Sequence, residues 1–174
     1  PFLGYNILRK PDPNEIVAEL LSEGIVGVAN GRSEFGPRAL GNRSLLADPR
    51  KISTKHQVNA IKRRQKFRPF APAILEEYCT DYFEMPGHSR YMSYVYQCKR
   101  PHDIPAVLHV DNSARVQTVP ESSESILRDV LEVWYEHTGC PVLLNTSLNI
   151  RGMPMVNDFC DALNFSSKYH VSVF

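Results

Sequence analysis

The sequence has few of the features that mark the common catalytic classes. Its four cysteines, Cys79, Cys98, Cys140 and Cys160, are scattered with neither CxxC nor Cys/His spacing, which excludes a zinc ribbon and a dithiol redox motif. Reduced, mostly buried thiols in a cytoplasmic protein are the expectation. No apolar run approaches the ~20 residues of a membrane helix, and the first ten residues, PFLGYNILRK, lack the basic-then-apolar pattern of a signal peptide. Neither GxxxxGK[ST] nor GxGxxG occurs, so the two common phosphate loops are absent. The six histidines show no metal-ligand spacing, and no metal site is expected. No Ser/His/Asp or Cys/His set stands out as a nucleophile with its base. There is no internal repeat and no low-complexity tract.

What remains is a chain of 174 residues, 43% hydrophobic and 22% charged, sufficient for one cored domain with a small appendage. Residues 1–12 read as a linker or extension and 13–174 as the domain. The chain starts at Pro1 without methionine. It ends in the apolar alternation Tyr169–Phe174, which reads as a strand with no turn after it. Both ends are expected of a piece of a longer protein.

Asp12-Pro13-Asn14 before Ile16, Val17, Leu20 and Leu21, with Gly24 following, predicts a capped helix with a glycine stop. Ile25–Ala29 reads as a buried strand and Leu45–Ala47 as a second. Ser53 or Thr54 is expected to cap a helix carrying Val58 and Ile61. Phe70–Leu75 reads as a strand that Pro69 and Pro72 make either an edge strand or one with irregular pairing. Tyr91–Tyr96 and Ile104–Val110 are expected as further strands. Ser122–His137 is the clearest helix, with Ile126, Leu127, Val130, Leu131 and Trp134 on one face and Gly139 and Pro141 closing it. Pro141–Leu144 reads as another buried strand. Strands and helices so mixed predict an α/β or α+β fold with a mixed, twisted sheet.

The net charge of +1 hides a segregation. Arg32 to Arg68 holds eleven basic residues against two acids, an excess of nine positive charges, so the remainder is net negative by eight. Such asymmetry points to an anionic partner of this stretch. Four segments hold the candidate chemistry. The loop Gly31-Arg32-Ser33-Glu34-Phe35-Gly36-Pro37-Arg38-Ala39-Leu40-Gly41-Asn42-Arg43-Ser44 combines glycines, which let backbone N–H groups approach a ligand, with the planar donors of Arg38 and Arg43 and the neutral donors of Asn42 and Ser44. A tight structural turn with exposed arginines is the competing reading. Lys62 to Phe70 places five cations in seven residues, with Phe67, Pro69 and Phe70 to anchor them. A small anion or a nucleic-acid backbone suits it equally. His109–Val119 delivers a polar turn with Asp111 and Arg115, in which Asp111 orients Arg115 or simply closes an Asx turn. Asn145-Thr146-Ser147-Leu148-Asn149-Ile150-Arg151 follows a buried strand, where α/β folds place ligand contacts.

The strings EFGPRALGNRSLLADPR, KFRPFAPAIL, HVDNSARVQTV and CPVLLNTSLNIRG, in this order, resemble the C-terminal domain of the O-carbamoyltransferases related to nodulation and antibiotic-tailoring enzymes. The resemblance spans about residues 13–165. It implies a YrdC-like fold, a twisted mixed sheet flanked by helices around a basic cavity. It further implies formation of carbamoyl-adenylate from ATP and carbamoyl phosphate with Mg²⁺, and a separate N-terminal actin/sugar-kinase-like domain that moves the carbamoyl group to a hydroxyl. Carried onto this sequence, Lys62, Arg115 and Ser147 become the catalytic candidates. Arg68, Asn145, Arg151, Arg38, Asn42, Arg43 and Ser44 become the substrate-binding ones. The chain departs from the family where Met153 stands in place of a glutamate, and the helix start after it lacks the usual Thr-Pro-Glu-Asp-Ala, so weaker capping is expected there. A threonylcarbamoyl-adenylate synthase and a nucleic-acid-binding module on the 32–68 segment are the alternatives. No membrane partner is expected, and nucleic acid is the lesser of the partner readings.

Overall fold

A computed structural model describes residues 11–174. The linker expected over 1–12 therefore lies almost wholly outside the described residues. The first helix, α1, runs over Pro13–Glu23, with the Asp12 side chain accepting from Asn14 N and Gly24 closing it in the left-handed conformation at φ 79°. Proline at the first helical position and aspartate before it fix this start. Two antiparallel strands follow, β1 (Ile25–Ala29) and β2 (Arg43–Ala47). Next come α2 (Ile52–Ile61), β3 (Ala71–Leu75), a 3₁₀ turn at Glu76–Tyr78 and the single-turn α3 (Cys79–Tyr82). The short strands β4 (Val95–Gln97), β5 (Ser113–Arg115) and β6 (Gln117–Val119) precede α4 (Ile126–Thr138), β7 (Val142–Ser147) and α5 (Phe159–Tyr169).

The main sheet has the order β1-β2-β7-β3-β6, with β3 and β6 parallel and the other pairs antiparallel; β4 and β5 form a separate two-stranded ribbon. The mixed α/β class read from the sequence is thus the class observed. Alternation along the strands sorts the side chains into two layers. Val26, Val28, Leu46, Leu143, Ala73, Leu75 and Val119 face α1 and α4, meeting Ile16, Leu20, Leu127, Leu131 and the fully buried Trp134. Ile25, Leu45, Ala47, Ile74, Val142 and Leu144 face the other side, covered by α2, α5 and the 76–116 excursion.

Three expectations are corrected. Phe70–Leu75 is not an edge strand, since β3 lies between β7 and β6. Leu75 N donates to Pro141 O on the β7 side, so by alternation the nitrogen of Pro72 faces the β6 side. There β6 begins only opposite Ala73, so no ladder bond is lost to the proline. Tyr91–Tyr96 is strand only from Val95 onward. Ile104–Val110 forms a 3₁₀ turn at Pro105–Val107. There Ile104, Ala106, Val107 and Leu108 are all buried, and a run without alternation satisfies the core from a turn as well as from a strand.

At the C-terminus the chain lies beside β1, with Gly27 N donating to Ser172 O and Phe174 N to Gly27 O. This ladder is shorter than the strand read over Tyr169–Phe174, because α5 extends to Tyr169. The weaker capping expected before α5 is not found, because the Asp158 side chain accepts from Asp161 N. Cys79, Cys98 and Cys140 are buried thiols and Cys160 is exposed.

Gly41 fixes the return of the β1–β2 connection. Its φ is 135°, and a Cβ there would lie 2.6 Å from Ser125 Oγ and 2.9 Å from Leu127 Cβ. Gly41→Ala is expected to destabilise the domain by about 2 kcal/mol or more through strain and overpacking, read as a lowered urea midpoint.

Candidate functional site

The four chemistry-bearing segments meet at one end of the main sheet. β1 ends at Ala29 and the chain returns to β2 at Arg43. At this end Ser44 pairs with Ser147, and Ala71 with Asn145. Gln117 begins β6 opposite Ala73. The loop 30–42, the cationic segment 62–70, the β5–β6 junction at Arg115 and the loop after Ser147 therefore issue from neighbouring strand ends. Below this level the strand side chains of the main sheet are apolar apart from Thr118, whose hydroxyl donates to Glu76. At it, Ser44, Asn145, Ser147 and Gln117 take over on the α1/α4 face.

Lys62 is the best-buried lysine among the described residues, 4% exposed. It caps the C-terminus of α2 through its own N–H to Val58 O. Its Nζ lies 2.5 Å from Ser147 O, 2.9 Å from Asn149 O, 3.0 Å from Asn149 Oδ1 and 3.3 Å from Ser147 Oγ. Ser147 Oγ donates to Asn149 Oδ1 at 2.7 Å, and Arg151 N donates to Lys62 O at 3.0 Å. No carboxylate pairs with Lys62 among the described residues. Burial lowers its pKa to about 7, helped by the guanidinium groups of Arg64 and Arg68.

Arg64 is the member of this cluster that sequence reading passed over as one of a basic run. Its Nε donates to Asn59 Oδ1 at 2.6 Å, and its guanidinium lies over the Phe70 ring at 4.2 Å. Burial lowers its pKa to about 10, with Arg68 and Arg115 contributing. Asn59, fully buried, shapes the whole segment, because its Nδ2 donates to the carbonyls of Lys66 and Arg68. Asn149 was likewise missed, although its place two residues after Ser147 is the available signal.

Arg115 is half-buried; burial, then the positive charge of Arg38, lowers its pKa. Its Nε is buried without a hydrogen-bond partner among the described residues. Lys62, Arg64, Arg68, Arg115 and Arg38 thus form one electrostatically connected group. Arg38, Arg68 and Arg151 are exposed.

The remaining candidates are placed differently. Arg43 is 1% exposed, and its guanidinium donates to the carbonyls of Val156, Asn30, Asn42, Gly31 and Asn157. All five N–H groups are engaged, so it acts as a strut that ties the 30–42 loop to the 156–157 turn. Asn42 donates through Nδ2 to Arg32 O, and its backbone N–H meets Glu34 Oε1 at 2.7 Å. Asn145 donates to Ala39 O and to Gln117 Oε1, while Gln117 donates to Leu40 O. These two buried amides seat the arginine-bearing loop on the strands. Asn145 Oδ1, Ser44 Oγ and Glu34 Oε2 are buried without partners among the described residues. Asp111 accepts from Ser113 N and Oγ, and Ser113 Oγ lies 2.9 Å from His109 Nδ1. This is the Asx-turn reading of Asp111.

A cavity of about 250 Å³ opens beside this group, between the 149–156 loop and α5. Its wall is mainly apolar, with Ile150, Met153, Met155, Phe165 and Tyr169, and it shares Asn149 with the Lys62 network.

The fold and site define a mixed α/β domain that, among the described residues, presents grouped cations without carboxylate partners at its strand ends, a field that favours anions. The comparisons define it further. The family model "Carbamoyltransferase C-terminus" matches residues 17–174, and the chain belongs to that family. Nodulation protein NolO of Bradyrhizobium diazoefficiens is 41% identical over 165 residues, covering 91% of this chain and 30% of that protein. Nodulation protein NolNO of Sinorhizobium fredii is 42% identical over 164 residues, covering 90% of this chain and 24% of that protein. The chain thus spans less than a third of these relatives' length. Among solved structures, full-length HypF in its phosphate- and nucleotide-bound form matches 97% of this chain and 21% of its own at a TM-score of 0.62 and 16% identity. HypF of T. kodakarensis matches at a TM-score of 0.63 and 17% identity. At such identities these two show the fold. No helix among the described residues is long and apolar enough to cross a membrane.

The strut assignment predicts how Arg43→Lys behaves. It keeps the charge but loses the planar fork, so stability should fall by about 2–3 kcal/mol. A ligand contact would instead appear as weakened anion binding with an unchanged unfolding midpoint.

Proposed function

We propose that this chain is the activating part of an O-carbamoyltransferase. It binds carbamoyl phosphate and ATP at the strand ends and forms carbamoyl-adenylate, and the carbamoyl group then passes to a hydroxyl acceptor held by an N-terminal actin/sugar-kinase-like domain. The family membership supports the reaction class. The observation that carries the reading is the group Lys62, Arg64, Arg68 and Arg115, in which burial and then Arg64 and Arg68 lower the pKa of Lys62, and burial and then Arg68 and Arg115 that of Arg64, without carboxylate partners among the described residues.

The electrostatics make this arrangement costly unless anions occupy it. Two like charges ~4 Å apart repel by about 4 kcal/mol at an effective dielectric near 20. The same cost separates the reactants from each other, because carbamoyl phosphate and ATP are both polyanions. A shared cationic site cancels both repulsions and holds the reacting groups adjacent, which is catalysis by positioning and charge stabilisation. In net terms, carbamoyl phosphate, ATP and water give carbamoyl-adenylate, phosphate and pyrophosphate. Arg115, with its unpaired Nε, and Arg68, exposed beside Lys62, are assigned to the phosphate oxygens. Ser147 and Asn149 are assigned to the carbamoyl group, held in place by Lys62. Arg38 and Arg151 are assigned to the mouth of the site. No group of three or more His, Cys, Asp or Glu side chains able to hold a metal lies among the described residues. Magnesium would therefore enter on the nucleotide phosphates rather than on protein ligands.

The reading is tested by carbamoyl-phosphate-dependent release of pyrophosphate from ATP. Arg115→Ala is expected to weaken carbamoyl phosphate binding by about 1.5–3 kcal/mol, the worth of a charge-assisted bond. Unchanged calorimetric affinity in Arg115→Ala and Arg68→Ala would remove the assignment.

A further inference from the structure

Lys62 is surrounded in an unusual way. Four oxygens lie within 3.3 Å of its Nζ, and all four are neutral, two of them main-chain carbonyls and two from the Ser147 and Asn149 side chains. A buried ammonium normally has a carboxylate beside it; among the described residues this one has none. The charges acting on it are positive. Arg64 and Arg68, from the segment that follows α2, both disfavour its proton. Arg115, from β5, acts on Arg64. The Arg151 backbone N–H binds the Lys62 carbonyl. From α5, Asp161 and Lys168 line the cavity that Asn149 shares, and the Arg63 guanidinium lies 6.0 Å over the Tyr169 ring. The charged groups that act on the Lys62 amine are therefore two guanidinium groups, whose fields an arriving anion would offset.

We infer that Lys62 is a proton-linked positioning residue: an anion binding at Arg64 and Arg68 draws a proton from solvent onto the Lys62 amine, and the resulting ammonium grips the Ser147–Asn149 loop with three N–H donors instead of two. The inference rests on the anion-binding part of the reading above and not on the identity of the reaction. The new N–H bond uses the amine lone pair, and the proton comes from bulk water or buffer. Without an anion, the pKa near 7 leaves a mixed population at neutral pH. With one, the repulsion from Arg64 and Arg68 is offset, the ammonium is favoured, and the pKa rises. Linkage then fixes the sign. Below pH about 7 both forms are protonated and affinity is at its maximum. Above it the bound form holds the proton better than the free form, so affinity falls as pH rises, by about tenfold in all for a one-unit rise in pKa, until the raised pKa is passed. The loop carrying Ser147 and Asn149 is thus held most firmly when the site is filled.

Sulfate is the probe, since it stays dianionic through the neutral range while phosphate itself titrates there. The full chain is titrated by calorimetry at pH about 8 in buffers of different ionisation enthalpy. Uptake of roughly half a proton per sulfate is expected, if binding raises the Lys62 pKa by about one unit. Lys62→Arg replaces the group with a cation that does not titrate in this range; it should bind sulfate without proton uptake and lose the pH dependence. The Lys62 ¹³Cε resonance supplies an independent reading, its midpoint moving upward on sulfate addition. Sulfate binding without uptake in the native chain, or equal uptake in Lys62→Arg, overturns the inference. Failure of sulfate to bind at all overturns it together with the anion site. Normal proton-linked binding with no carbamoyl-adenylate formed leaves it standing and removes the proposed reaction.

Discussion

Repulsion among cations held at the ends of the strands is the constraint around which this domain is arranged. Lys62, Arg64, Arg68 and Arg115 are brought together by a sheet whose lower part is predominantly apolar on both faces. The sheet's burial opposes the repulsion, since packed side chains contribute on the order of 25 cal/mol per Å² removed from water. The cationic segment is also held locally. Asn59 bonds to Lys66 O, Arg68 O and Arg64 Nε, and Phe70 lies under the Arg64 guanidinium. These are neutral restraints. A carboxylate would have relieved the strain more cheaply, but it would also have occupied the place of an anionic ligand.

Charged pairs elsewhere show what the site avoids. Arg128, 6% exposed, meets both oxygens of Glu77 and also Glu132, and its pKa is raised by these bonds. Arg50 is paired with Asp48 and lies over Trp134. At the opposite end and on the helical face, the buried Arg128 and the buried Asp48 thus follow the ordinary rule that a buried charge is paired. Arg43 follows a third route, neutral carbonyls around a complete guanidinium. Among the described residues the domain thus contains paired, carbonyl-bound and unpaired cations, and of the unpaired ones Lys62, Arg64, Arg68 and Arg115 lie at the strand ends where the chemistry-bearing loops meet.

Much of this was legible in the sequence, and the parts that were not share a cause. Helix α1 was fixed by Asp12, Pro13 and Gly24, and α4 by its apolar face and Gly139, because those signals are local. The charge segregation of Arg32–Arg68 located the site, because an excess of one sign needs no tertiary information to be seen. What escaped was the use to which each polar side chain is put. Arg43 and Arg38 look alike in GPRALGNR, yet one is buried under five carbonyls and the other exposed. The difference comes from strand register, which sets Arg43 on β2 facing Val156 and Asn157, over a hundred residues away in sequence. Ile104–Val110 failed as a strand for the related reason that a run buried on all sides carries no periodicity.

Lys62 joins these two levels. Its position at the end of α2 is a consequence of local helix length, and its partners on β7 are a consequence of topology. An ammonium that binds only neutral oxygens is sensitive to the field around it, whereas one locked to a carboxylate is not. The arrangement that makes the cluster unstable when empty is therefore also what lets occupancy of Arg64 and Arg68 be felt at Ser147 and Asn149, through a single proton rather than through movement of the sheet.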